Sequence, residues 1–146
     1  MNPKIHRKNC KFIVKPEERM ILCVIEGHHI SNMLLDYVEE FDRSGVEIWP
    51  VGVDLRKKLR MPYSFVGKAV CAEGDEWNEE LGRKIAYSRA KNKLYTSFFR
   101  RANMFINEVD YKLNRMISRL NDFGKTLDDQ RVGLEQSIEE MVQKEE

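Results

Sequence analysis

Basic, aromatic and amide side chains interleave over a short stretch of this chain. Between Gly82 and Asn107 there are seven Lys and Arg residues and no acidic residue. Guanidinium groups grip phosphates in a fork, aromatic rings stack on nucleobases, and Asn pairs with a base edge. The stretch therefore predicts a binding surface for an anionic, aromatic ligand such as a nucleotide. Its candidate ligand-binding residues are Arg89, Asn92, Tyr95, Phe98, Phe99, Arg100, Arg101 and Asn103.

An alternative interpretation places these rings in the core and the cations on the solvated back of a helix. The absence of acidic residues favours the ligand interpretation, because a solvated helix face usually mixes charges of both signs. Arg115 and Arg119 form a second cationic pair and complete the set of candidate ligand-binding residues. Two roles fit this pair: closing over a ligand held between chains, or forming ion pairs with the acidic C-terminal part.

One long predicted helix, from Glu76 to Phe123, must position these side chains, and either Asp75 or Asn78 can cap its start. Its apolar residues recur at alternating steps of four and three, which is the a/d pattern of a coiled coil. Such a helix would be roughly 70 Å long, so much of it must pack on a partner chain or stand in water. The predicted seam consists of Tyr95, Phe99, Ala102, Ile106, Val109, Leu113, Met116, Leu120 and Phe123.

A glycine is predicted to end this helix at its C-terminal side. Gly124 follows the last seam residue, and glycine commonly terminates helices. Thr126 and Asp129 have the spacing of a capping box, which predicts a shorter second helix from Leu127 to Gln143.

The N-terminal half predicts a small antiparallel β-sheet of three to four strands. Ser31 or Asn32 is predicted to cap a short helix, and Asp54 to Arg60 is predicted to be a basic connector. The predicted strands are Lys11–Val14, Met20–Ile25, Val46–Val53 and Ser64–Ala72, and the short helix is Met33–Phe41.

The predicted fold class is therefore α+β, a small antiparallel β-sheet followed by a long helix with coiled-coil character and a shorter C-terminal helix. A single domain, 1–146, is expected. Its residues 1–75 are mainly β with one short helix, and residues 76–144 form a helical oligomerisation region.

Composition restricts the possible functions. The chain has 146 residues and a net charge of +1, which argues against a nucleic-acid partner. No apolar run approaches the roughly 18 residues of a membrane span, and three scattered cysteines favour a reduced, cytoplasmic protein. From Leu127 to Glu146 there are seven acidic residues and two basic ones. This polarity favours packing of a basic region of one copy near an acidic region of another.

Metal and catalytic chemistry find little support in the sequence. Zinc-type ligands occur in the first strands, but their spacing lacks a close cysteine pair, and buried thiols explain the cysteines as well. Glu139 and Glu140 lack the facing acidic pair that a magnesium site needs. No catalytic residue, metal or cofactor is therefore predicted, and a non-enzymatic binding protein is expected. The zinc-type ligands are His6, Cys10, Cys23, His28 and His29.

The run from Gly67 to Lys91 carries a longer pattern, G-x-A-x-C-x-x-x-D-x-W-N-x-x-x-G-x-x-I-A-x-x-R-A. This pattern resembles the signature of the anti-Thoeris sponge family (Thoeris anti-defence protein of the first type), small proteins of phages and prophages. The same positions suit local structural roles. Gly67 suits a turn or bulge before a strand, Asp75 a helix cap, and Gly82 with Ala86 a close helix–sheet approach.

The resemblance implies a specific function. Members of that family bind cyclic ADP-ribose isomers made by bacterial TIR-domain defence proteins, and some also bind cyclic oligonucleotides, in each case without cleavage. They assemble as dimers and larger oligomers, with ligands held by rings and arginines where protomers meet. The segment from Met1 to Met61 is longer here than in that family, and His28–Val53 has the character of an added helix and strand.

The sequence thus predicts a phage-type counter-defence protein that sequesters a cyclic nucleotide signal in the cytoplasm of an infected bacterium, as a homo-oligomer. Two alternatives stay open. One is a coiled-coil protein-binding inhibitor or structural module, and the other is a protein that binds single-stranded nucleic acid through the basic helix.

Overall fold

The computed structural model of the chain describes residues 10–26, 29–44 and 55–145. Those residues form one three-stranded antiparallel sheet and three helices, which confirms the α+β fold class. The strands are β1 (Cys10–Lys15), β2 (Met20–Glu26) and β3 (Ser64–Val70), and the helices are α1 (Ile30–Arg43), α2 (Leu55–Leu59) and α3 (Glu79–Glu145).

The sheet has strand order β1-β2-β3, so β2 is central. Cys23 of β2 lies opposite Phe12 of β1 and opposite Gly67 of β3. Alternate residues of β2 are buried, as expected for a strand with one face on the core. Ile21, Cys23 and Ile25 form the centre of that core together with Ala86, Ala90 and Leu94 of α3.

A close contact between β3 and α3 fixes how the helix lies on the sheet. A Cβ atom on Gly67 would lie 1.9 Å from the carbonyl oxygen of Ala86 and 2.4 Å from the backbone nitrogen of Ala90. A Cβ on Gly82 would lie 2.6 Å from Cδ1 of Ile21. The predicted close approach at Gly82 is confirmed. Gly67 lies inside β3 rather than in a turn. Glycine is needed at this position because the helix backbone leaves no room for a side chain.

The start of α3 is set by one capping residue. The backbone N–H of Leu81 donates a 2.9 Å hydrogen bond to Oδ1 of Asn78. The helix therefore begins at Glu79, three residues later than predicted, and Asn78 rather than Asp75 caps it. The carbonyl of Asp75 instead accepts a hydrogen bond from the Arg19 side chain.

Helix α1 is longer than predicted, and its capping prediction is wrong. The N-cap position is His29, which makes no side-chain capping bond, and Ser31 and Asn32 lie inside the helix. Buried Ile30, Leu34 and Val38 recur at helical spacing and extend the apolar face towards the N-terminus. Helix α2 occupies most of the predicted basic connector. The predicted strand 46–53 lies outside the described residues.

The predicted break at Gly124 is wrong, since α3 runs without interruption to Glu145 and no separate C-terminal helix forms. Glycine inside a helix costs only about 1 kcal/mol relative to alanine, which the flanking turns readily overcome. The Thr126 hydroxyl donates to the carbonyl of Asp122 at 3.1 Å, a bond made within a helix rather than at a cap. The apolar spacing also continues, from Phe123 to Leu127 and on to Leu134.

The chain divides into two compact units, Met1–Ile106 and Asn107–Glu146. The first unit contains the sheet and both buried clusters. In the second unit every described side chain from Leu113 to Glu145 is exposed. None of the helices of the described residues has the length and apolar composition needed to cross a membrane.

Replacing Gly67 tests the close contact. Gly67→Ala is expected to lower the free energy of unfolding by about 3 kcal/mol or more, because the added methyl meets helix backbone that cannot move alone. Urea unfolding followed by circular dichroism measures the change. A loss below about 1 kcal/mol would show that α3 does not lie this close to β3.

Gly124→Ala is the matched glycine substitution in open space, where a Cβ would meet no atom within 4 Å. A continuous helix predicts an increase in the free energy of unfolding of about 0.5–1 kcal/mol, since alanine is the better helix former. A decrease in the free energy of unfolding in the same urea experiment would indicate that the helix ends at Gly124.

Candidate functional site

One ridge of α3 alternates rings with polar groups at steps of four residues, so each member is the neighbour of the next on the helix surface. We call this row the α3 ridge; it consists of Arg83, Tyr87, Lys91, Tyr95, Phe99 and Asn103. The Arg83 guanidinium lies 5.0 Å from the ring centre of Phe12 on β1. The Lys91 ammonium lies 5.1 Å from the ring of Tyr87 and 5.6 Å from that of Tyr95. Cation–π contacts thus hold both cations of the ridge.

Lys91 keeps its charge in this setting. Burial lowers the pKa of Lys91, but the neighbouring hydroxyl groups of Tyr87 and Tyr95 outweigh burial, and the pKa lies above its ordinary value. The ammonium group is therefore a fixed positive charge between two aromatic rings.

A cavity of about 320 Å³ lies where the ridge begins, between α3 and β1. Its size falls at the lower end of the range for small-molecule sites. Both of its cations also form ion pairs, Arg83 with Glu79 at 2.7 Å and Lys84 with Glu80 at 2.9 Å. The lining residues are Cys10, Phe12, Glu80, Arg83, Lys84 and Tyr87.

Two other cations of α3 reach the edge of β3. Nη1 of Arg89 donates to the carbonyl of Lys68 at 2.6 Å, and Nζ of Lys93 donates to the carbonyl of Val66 at 2.7 Å. Both carbonyls lie on a strand that is at the edge of the described sheet. These bonds block part of an edge that could otherwise pair with another strand.

Arg101 lies about two helical turns beyond Lys93, and its side chain also donates to a backbone carbonyl. Its Nε donates to the carbonyl of Arg60 at 3.1 Å, and its Nη1 donates to Oγ of Ser97 at 2.5 Å. Burial, with the positive charge of Arg100 beside it, lowers the pKa of Arg101. The guanidinium remains charged, since arginine does not lose its proton in proteins.

The partners of these cations are neutral, and this decides the electrostatics of the helix. Within the described part of the chain, no carboxylate lies within 4 Å of Arg89, Lys91, Lys93, Arg100 or Arg101. Carbonyl oxygens and ring faces hold the side chains in place without cancelling their charge. This part of α3 therefore carries positive charge that is ordered but not neutralised.

The predicted binding residues fall into three groups in the structure. Arg89 and Arg101 donate to backbone carbonyls. Phe98 contacts both buried clusters, and its ring meets that of Phe99 edge-on at 5.7 Å. The other predicted residues of the first unit lie on or beside the ridge, and Arg115 and Arg119 lie in the second unit. The residues beside or on the ridge are Asn92, Tyr95, Phe99, Arg100 and Asn103.

The predicted set of binding residues leaves out Phe12, Tyr87 and Lys91, although Tyr87 and Lys91 belong to the basic, aromatic stretch of the sequence. The i,i+4 spacing of Tyr87, Lys91 and Tyr95 was a detectable signal, since such residues are neighbours on a helix. Phe12 had no such signal, because its place beside Arg83 depends on how β1 and α3 pack.

Arg19 is a second residue that the sequence did not single out. Its Nη2 donates to the carbonyls of Ala72 at 3.0 Å and Asp75 at 2.5 Å, and it lies 3.0 Å from Sγ of Cys71. The residue has a φ of 48°, in the left-handed region of the β1–β2 turn. Arg19 therefore holds the loop that leads into α3.

A wider apolar groove of about 620 Å³ lies between α1 and α3 in the first unit. Phe41 and Phe105 meet edge-on in it, with ring centres 5.9 Å apart. Tyr37 and Ile106 on its rim are more than half exposed. Its lining has few polar groups, so it suits an anionic ligand less well than the α3 ridge.

The predicted zinc-type ligands remain apart where they are described. Among residues 10–26, 29–44 and 55–145, no three His, Cys, Asp or Glu side chains are placed to hold a metal ion. His6 and His28 lie outside those residues.

No family model, curated protein or solved structure matches the chain.

Arg19→Met tests the loop contact. Losing charge-assisted bonds to two carbonyls and a thiol is expected to lower the free energy of unfolding by about 2–3 kcal/mol, measured by urea unfolding. Lys15→Met is the matched control, because it removes only the exposed ion pair with Glu18 and should change stability by about 0.5 kcal/mol or less. Equal effects of the two substitutions would contradict this role of Arg19.

Proposed function

We propose that this protein binds a cyclic nucleotide signal, a cyclic ADP-ribose isomer or a cyclic oligonucleotide, and sequesters it without cleavage as a phage-type counter-defence protein. The observation that carries the proposal is the ordered, uncompensated positive charge of α3 beside the aromatic rings of the α3 ridge. A cyclic nucleotide combines aromatic bases with phosphates, and the ridge offers a partner for each.

The exposed residues on and beside the ridge have the chemistry for direct contact. Phe99 is 61% exposed, and its ring is available for stacking on a base. Arg100 is exposed and makes no ion pair with a described carboxylate, so its guanidinium suits a phosphate. Asn103 lies one turn beyond Phe99 and carries an amide that suits a base or ribose edge.

The proposal also keeps the roles that the sequence predicts for neighbouring residues. Arg115 and Arg119 keep both predicted roles, phosphate contacts to a ligand held between chains or ion pairs with an acidic C-terminal part. Arg89 and Arg101 contribute mainly to the electrostatic field, since Nη1 of Arg89 and Nε of Arg101 are engaged with backbone carbonyls. No step of the proposed function requires a metal ion or a cofactor.

A protein-binding or structural coiled-coil module is the second candidate. It is favoured by the apolar side chains that the second unit exposes along α3, with Leu120 70% and Leu134 66% exposed. The two functions respond differently to small molecules. A nucleotide ligand raises the melting temperature by mass action, whereas a protein inhibitor is indifferent to free nucleotides.

Titration calorimetry against cyclic ADP-ribose isomers, cyclic di- and trinucleotides and ADP-ribose tests the proposal. One cyclic nucleotide is expected to bind tightly and to be recovered unchanged after the protein is heated. If the folded protein binds no nucleotide of the panel, the proposal is contradicted. Recovery of a cleaved product would also contradict it.

Phe99→Ala locates the site once a ligand is found. Stacking on an aromatic ring is worth about 1–3 kcal/mol per base, so the affinity is expected to fall roughly tenfold or more. Tyr111→Ala is the matched control, because Tyr111 is also a 61% exposed aromatic residue of α3 but lies eight residues beyond the last ridge residue, in the second unit. The affinity of the Tyr111→Ala variant for the nucleotide should stay within about twofold of that of the wild type. If Phe99→Ala, Lys91→Met and Arg100→Ala all bind like the wild type, the ligand does not occupy the ridge.

A further inference from the structure

The second unit presents a continuous apolar row that nothing in the described chain covers. Alternating steps of three and four place the row on one side of the helix, and two polar residues, Gln130 and Ser137, fall in register with it. All members of the row are exposed, and Leu120 is the most exposed at 70%. Its apolar members are Leu113, Met116, Leu120, Phe123, Leu127, Leu134 and Met141.

Charge divides the same helix into two halves. Residues 111–126 carry four cations and one carboxylate, and residues 127–145 carry six carboxylates and two cations. Arg131 pairs with Asp128 and Glu135 inside the acidic half. None of the other charges of residues 111–145 has an opposite charge within 4 Å among the described residues. The four unpaired cations of the basic half are Lys112, Arg115, Arg119 and Lys125.

We propose that two copies of this chain pair side by side and antiparallel through residues 111–145. The basic half of each copy then lies against the acidic half of the other, while the apolar rows form the seam. A parallel pair in register would set the basic half beside the basic half and the acidic half beside the acidic half, which is unfavourable. It would also place Gln130 against Gln130 and Ser137 against Ser137, with only the Leu134 layer between these two polar layers.

The heptad positions support the antiparallel arrangement in detail. In an antiparallel pair, the residue just before an a position of one helix faces the residue just before an a position of the other. The a positions of this row are Leu113, Leu120, Leu127, Leu134 and Met141. Lys112, Arg119 and Glu140 all occupy this position. With the symmetry axis near residues 125–129, Glu140 of one copy faces Lys112 or Arg119 of its partner. The same overlap covers Phe123 and Leu127 at the centre of the seam. This pairing requires no ligand, so its test is separate from the nucleotide proposal.

The oligomeric state is the first test. Analytical ultracentrifugation of the wild-type chain is expected to show self-association that Leu120→Asp weakens at least tenfold. Val132→Asp is the matched control, since Val132 is exposed but lies off the seam, and it should associate like the wild type. A monomeric wild type, or equal effects of the two variants, would overturn the proposal and leave a different protein as the occupant of the seam.

Electron spin resonance distances then fix the direction. Spin labels are placed singly at Lys125→Cys and Glu139→Cys, both off the seam, in a chain with Cys10→Ser and Cys71→Ser. Cys23 is kept because its thiol is fully buried, so the spin-label reagent does not reach it. At 1.5 Å per residue, an antiparallel pair sets the two labels at position 139 apart by roughly 30–40 Å along the axis, and those at 125 by under about 10 Å. The distance at 139 should therefore exceed that at 125 by about 15–20 Å. Equal distances at the two positions would show a parallel pair and overturn the proposal.

Discussion

The contact between Gly67 and the backbone of α3 is the constraint on which the rest of the first unit depends. Without a side chain at Gly67, the backbone of β3 meets Ala86 and Ala90 directly. Small residues on both elements thus bring a helix and a strand closer than ordinary packing allows. This position sets which side chains of α3 reach the β3 edge and which lie towards β1.

The partners of the cations follow from that placement. On the β3 side, Arg89 and Lys93 reach backbone carbonyls of an edge strand. On the β1 side, Lys91 lies between two tyrosines without a carboxylate partner, whereas Arg83 lies over Phe12 and also pairs with Glu79. Carbonyls and ring faces order a cation while leaving its charge in place, whereas a carboxylate would cancel it. A helix segment without acidic residues becomes, in this fold, an ordered electropositive surface beside exposed rings.

Much of the fold was predictable because its signals are local. The strands β1, β2 and β3 were expected within one or two residues, since alternating apolar residues bounded by turn residues depend on little else. The cap at Asn78 was one of two expected positions. The end of α3 was mispredicted because Gly124 was given more weight than the apolar spacing that continues through Leu127.

The candidate site was only partly predictable, because its contacts join residues distant in sequence. The spacing of Tyr87, Lys91 and Tyr95 is visible in the sequence, but the pairing of Arg83 with Phe12 requires the docked helix. Nor could the sequence show that Arg89 and Arg101 donate to backbone carbonyls, since those partners carry no residue signature. Arg19 was equally hidden, because its three partners belong to a loop 52 or more residues away.

The most direct test of the central claim is a footprint of the bound ligand on the intact chain. Hydrogen–deuterium exchange is measured with and without a mixture of cyclic ADP-ribose isomers and cyclic di- and trinucleotides. Protection concentrated in peptides that cover residues 83–103 is the predicted result. Unchanged exchange at saturating nucleotide, or protection only at the α1–α3 groove, would contradict the claim that the charged ridge of α3 is a nucleotide-binding surface.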